Sequence, residues 1–118
     1  RMIITIQFSN IEPTDAIREY TEEKLQTLTK FFENIQKMDV DLGAREQHHK
    51  KGKRYYAEVN VHIPGKVVRI AKDTEELYKA IDKVKDHLKV ELQKIKEKMR
   101  RQDRKVIRNQ KEYRVEEF

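Results

Sequence analysis

Three observations predict that this chain of 118 residues is an α+β fold, β-α-β-β-β-α in order, with a four-stranded sheet and two helices packed on one face. Four short segments alternate apolar and polar residues, the two-residue period of a half-buried strand. Two longer segments carry apolar residues at steps of three and four, the period of an amphipathic helix. Each strand so marked has one apolar face, so a single sheet covered on one side by both helices buries that surface with the fewest layers.

The first strand is Ile4 to Phe8, with Ile4, Ile6 and Phe8 on one face and Thr5 and Gln7 on the other. Pro13 and Thr14 mark a helix start. From there to Phe32, the residues Ile17, Tyr20, Thr21, Lys24, Leu28 and Phe31 share one side, with Leu25 and Phe32 at its edge. Lys24 stands inside this stripe, either as a stem that packs while its ammonium reaches water or as a cation held stiffly for an anion. Met38, Val40, Leu42 and Ala44 alternate with Lys37, Asp39, Asp41 and Gly43 as a second strand. A basic loop, expected to be flexible, runs from Arg45 to Arg54 with Lys50, Lys51, Lys53 and a single carboxylate, Glu46. The third strand places Tyr55, Ala57, Val59, Val61 and Ile63 on one face, and Pro64-Gly65 turns it into a fourth, Val67 to Ala71.

The long final helix is expected over Asp73 to Arg101. Thr74 is its N-cap candidate, and Glu75 and Glu76 fall in a first turn where carboxylates suit the helix dipole. Its seam is Leu77, Ile81, Val84, Leu88, Leu92, Ile95 and Met99. At ~100° per residue, Lys85, Lys89, Lys96 and Arg100 form a stripe beside that seam, while Lys79, Lys83, Lys94 and Arg101 project from roughly the opposite side. Past Met99 the apolar periodicity is lost. The expected division is therefore a domain over residues 2–101 and a charged, flexible extension over residues 102–118.

Length allows one compact domain. The charged fraction is 41% where ~25% is usual, and the hydrophobic fraction is 36%, so the core is small. Net charge is +6, and the excess is late: residues 95–118 hold nine cations and five carboxylates. A basic excess on a helix points first to a polyanion, whose phosphates release counterions on contact, and only second to an anionic membrane surface. Without cysteine there is no disulfide or thiolate metal site, which fits a reducing cytosol. Met2 to Ile4 is too short an apolar run for a signal or membrane span, so a soluble, cytoplasmic protein is expected. Arg1 before Met2 looks like a remnant of processing.

Catalysis has little to stand on. Asp39 and Asp41 share a strand face, but that face is polar, and general acid work needs one carboxyl raised by burial; a solvated or ion-paired role is expected. His48 and His49 are adjacent, and His62 and His87 are isolated, so no spaced metal-ligand pair exists. The three glycines stand apart and form no phosphate loop. The expectation is no enzyme, no metal, no cofactor and no small-molecule substrate. The cations of the long helix and of the Arg45 to Arg54 loop instead suggest nucleic acid, with Tyr56 rather than the inward Tyr55 available for base stacking.

Glu76-Leu77-Tyr78-Lys79-Ala80-Ile81-Asp82 is similar to the motif acidic-hydrophobic-Tyr-x-Ala-Ile-Asp, and the spaced Lys94, Lys96 and Lys98 follow it. Ala16-Ile17-Arg18, Lys24-Leu25 and Lys30 look like the first helix of the same family, and Val68-Arg69-Ile70-Ala71 like its last strand. On these residues the chain, over about residues 2–100, resembles the bacterial ribosome hibernation promoting factors, also called ribosome-associated inhibitors or sigma-54 modulation proteins. The resemblance implies binding to ribosomal RNA of the small subunit at the decoding region, over the messenger RNA and tRNA positions, so that translation stops by occupancy. It implies RNA contacts at Arg18, Lys24, Lys30, Lys94 and Lys98, with Arg69 and Lys96 next, and it weights Lys94 and Lys98 above the Lys85 and Lys89 stripe. Arg100 and Arg101 complete the candidate set. His87 and Glu91 stand where many members have Lys and Gln; Glu91 brings a negative charge into the RNA-facing helix, with Lys89 placed to offset it. The chain corresponds to a short-form factor or to the N-terminal domain of a long form, and a homodimer is expected only if a C-terminal dimerisation domain has been removed. The alternative function is a basic protein-binding module that docks an acidic partner such as a transcription factor.

Overall fold

The structure, a computed structural model, describes residues 2–46 and 52–116, with side chains through residue 110. Its elements are β1 (Ile3–Ser9), α1 (Asp15–Gln26) continued by a 3-10 turn (Thr27–Lys30), β2 (Lys37–Glu46), β3 (Lys53–Ile63), β4 (Lys66–Thr74) and α2 (Leu77–Glu116). The four strands form one sheet in the order β1-β2-β3-β4. β1 and β2 are parallel, as a connection through a helix allows, and the other two pairs are antiparallel. The predicted order β-α-β-β-β-α and the α+β class are the observed ones.

Alternation sets the sheet's two faces. Ile6, Val40, Val59 and Ile70 are aligned across all four strands, one apolar rung on the helix side. The core is built from such rungs together with Leu25, Leu28 and Phe32 of the first helical segment and Leu77, Ala80, Ile81, Val84, Leu88 and Leu92 of α2. β3 and β4 are joined by Pro64 and Gly65, and Gly65 takes φ +80°, a left-handed value that a side chain would resist at the second turn position. Of the predicted basic loop, residues 47–51, with His48, His49, Lys50 and Lys51, lie outside the described residues.

α1 starts as expected: the Ile17 N–H donates to Thr14 Oγ1 at 3.2 Å. Its buried centre differs. Thr21, Leu25, Leu28 and Phe32 are the residues taken out of water, while Ile17, Tyr20, Lys24 and Phe31 are half-buried on the flank. The buried residues keep helical steps of four, three and four, but their stripe is rotated by about 60° from the expected one, towards Leu25 and Phe32. Thr27 and Thr29 hydroxyls donate to the carbonyls of Lys24 and Gln26 (2.6 and 2.8 Å), and the chain tightens into a 3-10 turn of three residues per turn.

α2 differs at both ends. Asp73 and Thr74 belong to β4, paired with Tyr56 and Tyr55, and the helix begins at Leu77. Thr74 is buried, and its hydroxyl accepts the Glu76 N–H at 3.3 Å, so it closes the strand-to-helix turn instead of capping the helix directly. Glu75 and Glu76 consequently precede the first turn. At the other end the helix continues to Glu116, fifteen residues beyond Arg101. Leu77 to Leu92 of the seam are at most 8% exposed, Ile95 is half-buried and Met99 is 38% exposed. The apolar period thus stops where the sheet stops. Residues 97–116 hold no Gly or Pro and many Lys, Arg, Glu and Gln, residues that favour helix without a core beneath them.

Candidate nucleic-acid interface

The two sides of the molecule are charged in different ways. On the open sheet face, opposite the helices, four cations (Lys37, Arg45, Arg54, Arg69) stand among four carboxylates (Asp39, Asp41, Glu58, Asp73), and Arg54 and Arg69 pair with carboxylates across strands. His62 Nε2 lies 2.8 Å from Asp39 Oδ2. Arg69 Nε donates to Asn60 Oδ1 at 2.8 Å and lies 3.5 Å from Glu58 Oε1. Arg54 donates through Nε to Asp73 Oδ1 (2.8 Å) and through Nη2 to the Asp73 carbonyl (2.9 Å). Asp41 accepts from Ser9 Oγ (2.8 Å) and from Tyr56 Oη (3.1 Å). Both aspartates are therefore engaged as partners of neighbouring side chains.

Tyr56 is not an open stacking platform. Only 8% of it is exposed: its ring lies against Gly43, where a Cβ would come within 2.5 Å of the phenol oxygen, and the Arg45 guanidinium covers the other side at 4.2 Å from the ring centroid. A glycine on the polar face of a strand was the signal for this contact, since a missing side chain there lets a neighbouring ring approach the backbone.

The helix layer carries a run of cations along the groove between α1 and α2, Lys24 and Lys85 of them beside carboxylates. At its start the Tyr20 and Tyr78 rings meet edge to face with centroids 4.8 Å apart. Tyr20 Oη donates to Asp82 Oδ1 at 2.6 Å, and this bond, aided by burial, raises the phenol from 10.0 to about 12. Lys24 Nζ sits 5.3 Å from the Tyr20 ring centroid and 3.9 Å from Asp82 Oδ1, so it is fixed by an aromatic face and a carboxylate together. Further along, Lys89 Nζ lies 4.4 Å from the centroid of the Phe31 ring. Lys30, Phe31, Gln93, Lys96, Glu97 and Arg100 then line one shallow groove, and Phe32, Glu33, Asn34 and Met99 border its far end.

Six candidates thus belong to this side: Lys24, Lys30, Lys85, Lys89, Lys96 and Arg100, the α2 members sharing one angular stripe. Lys85 is half-buried, with its ammonium 3.4 Å from Asp86. Lys94, Lys98 and Arg101 occupy the opposite flank of α2, about 130–170° around the helix from the centre of that stripe. Arg18 points to the other edge of α1, its guanidinium 5.3 Å from the Phe8 ring centroid. Arg69 is held on the open sheet face and does not join the helix cations. The charge of Glu91 is met by Lys94 (3.5 Å) and lies near His87 (3.6 Å), whereas Lys89 is committed to Phe31 on the other flank. The clasp of Tyr20, Lys24, Tyr78 and Asp82 was not predicted. Each helix supplies two residues four apart, which spacing does reveal, but which helix faces which is a tertiary fact.

Chemically the site offers ammonium and guanidinium groups on a rigid, half-apolar floor, suited to phosphate contacts. Among the described residues no group of three or more His, Asp or Glu is placed to hold a metal ion, and no helix is long and apolar enough to cross a membrane. The family profile described as "Sigma 54 modulation protein / S30EA ribosomal protein" matches residues 4–100. The chain is 39% identical over 98 residues to the ribosome hibernation promotion factor of Picosynechococcus sp., covering 82% of this chain and 50% of that protein. It is 34% identical over 93 residues to the factor of the same name from Deinococcus radiodurans, covering 79% and 48%. The chain therefore spans about half the length of these curated relatives. A ribosomal subunit interface protein from Coxiella burnetii superposes with a TM-score of 0.71 at 22% identity, over 80% of this chain and 98% of that one, a likeness of fold. The chain belongs to the sigma 54 modulation protein / S30EA ribosomal protein family.

Proposed function

We propose that this chain is a ribosome hibernation factor of the cytoplasm, acting without catalysis by occupying the decoding region of the small ribosomal subunit and blocking messenger RNA and tRNA. The carrying observation is the segregation of charge: cations line the α1/α2 groove on supports that fix them, while the opposite sheet face is neutralised within itself. The names of the relatives support the ribosome as partner. The RNA-binding set is the groove cations Lys24, Lys30, Lys85, Lys89, Lys96 and Arg100, with Lys94, Lys98 and Arg101 reaching a second stretch of backbone. Arg18 and Arg69 lie apart from both and are the weaker members.

The test is sedimentation of the purified chain with washed small subunits, read beside an in vitro translation assay. Binding should fall steeply with salt, since each phosphate contact releases condensed counterions. The Lys89→Glu/Lys96→Glu pair should lose ~1.5–3 kcal/mol of binding per contact removed while its helical circular dichroism is unchanged. Wild-type protein that neither pellets nor inhibits would sink the proposal. Capture of a protein partner from nuclease-treated extract, without ribosomes, would favour the acidic-partner alternative.

A further inference from the structure

Beyond Leu92 and Ile95, α2 leaves the body of the protein, and every described side chain from Glu97 to Gln110 is exposed. This projecting stretch is not charged at random. Lys94, Lys98, Arg101, Lys105 and Arg108 follow at steps of four, three, four and three, so at ~100° per residue they stay in one narrow sector of the helix. They make a straight row ~21 Å long, with neighbours ~5–6 Å apart at Cβ. The row begins where the core ends: one and two turns upstream the same sector holds Val90 and His87.

Between Lys94 and Arg108 no carboxylate stands in the row itself, and by sequence Glu112 follows at the next step of four. Asp103 lies on the seam side, and Glu97 is 3.6 Å from Arg104, just off the row. Lys94 has Glu91 at 3.5 Å, and among the described residues no other member of the row has an ion pair. Adjacent like charges at these spacings oppose one another, so the row is held at a cost that a bound polyanion removes. The groove stripe behaves differently, since after Arg100 its sector passes to Asp103 and Ile107.

We infer that the Lys94–Lys98–Arg101–Lys105–Arg108 row is a second RNA-backbone site, tracking one strand along the projecting helix beyond the footprint of the folded body, with Lys105 and Arg108 as its outer contacts. A row of single charges at regular short intervals matches a phosphodiester backbone, which carries one charge per nucleotide. A second copy of the chain is disfavoured, because residues 97–110 set six cations against two carboxylates and two such helices repel. The inference rests on the RNA-binding reading above, which already includes Lys94, Lys98 and Arg101, and it extends that set by Lys105 and Arg108, both outside the groove.

Titrations of the full chain against washed small subunits across about 50–200 mM salt separate the two. Lys105→Gln/Arg108→Gln keeps residues that favour helix and should lower the slope of log affinity against log salt by ~1.4, two single-strand phosphates at ~0.7 each. Across that fourfold range, variant and wild type should converge by about sevenfold. Lys105→Arg/Arg108→Lys should behave as wild type. A Gln pair with unchanged slope, beside a Lys89→Gln/Lys96→Gln pair that weakens binding, overturns the row and leaves the proposed function standing. Wild-type protein that fails to bind overturns both. Competition by polyglutamate as strong as by oligouridylate of equal charge makes the occupant an acidic protein and overturns the RNA assignment.

Discussion

Tyr20 shows how a single side chain joins the two helices and what governs that joint. Its hydroxyl donates to Asp82 only while it keeps its proton, and that bond, with burial and the nearby Asp82 charge, raises the phenol from 10.0 to about 12. The folded value is raised, so the contribution is fully present below pH 10 and is lost as pH rises towards 12. Above that range a phenolate would face the Asp82 carboxylate. Tyr20→Phe should therefore cost about 1.5 kcal/mol at neutral pH, the low end for a bond to a charged acceptor because the site is partly exposed. The gap between variant and wild type should close between pH 10 and 12. Urea denaturation at a series of alkaline pH values measures it, and a gap that stays constant would deny the coupling. Tyr56 teaches the converse at the same scale. Its position on the polar strand face was plain from alternation, but its burial depends on Gly43 beneath and Arg45 above, two cross-strand neighbours that period alone does not pair.

For elements, hydrophobic period reports burial first and secondary structure only through it. The four strands and the body of both helices were legible because each buries one face on a shared core. The end of α2 was not, because the helix outlasts the surface it packs on. Thr74 and Asp73 were assigned to the helix because a cap residue and a strand end look alike where one element runs straight into the next. Leu92 and Met99, seven residues apart on one seam, test this distinction. Leu92 is fully buried and Met99 is 38% exposed. Leu92→Ala should cost ~2–5 kcal/mol through lost transfer energy and a cavity, and Met99→Ala less than ~1 kcal/mol as a largely surface change. Thermal denaturation of both variants measures the contrast. Comparable losses would mean that the core extends further along α2 than its burial indicates.

At the scale of the whole molecule, charge is sorted by face, and the sorting assigns different jobs to residues of one chemical type. The long axis of 74 Å comes from α2 projecting past a body whose other extents are 33 and 18 Å. Net charge and its late excess were visible in composition, but the neutrality of the open sheet face was not, because it arises from register: Arg54 meets Asp73, and Arg69 meets Asn60 and Glu58, only across paired strands. The Debye length at physiological salt is ~8 Å, so an RNA backbone near one face senses the cations beside it far more than those on the opposite face. Arg54→Gln and Lys96→Gln each remove one positive charge and lower the net charge equally. Were binding governed by net charge, the two would weaken ribosome association alike. With charge sorted by face, Arg54→Gln should cost up to ~1 kcal/mol of stability as an exposed pair is broken and leave ribosome association as in wild type. Lys96→Gln should leave stability within ~0.5 kcal/mol and reduce the magnitude of the salt slope by roughly 0.7–0.9, the loss of one phosphate contact. Denaturation midpoints and subunit titrations on the same two proteins give both quantities, and equal loss of ribosome binding in the two would show that the faces are not functionally distinct.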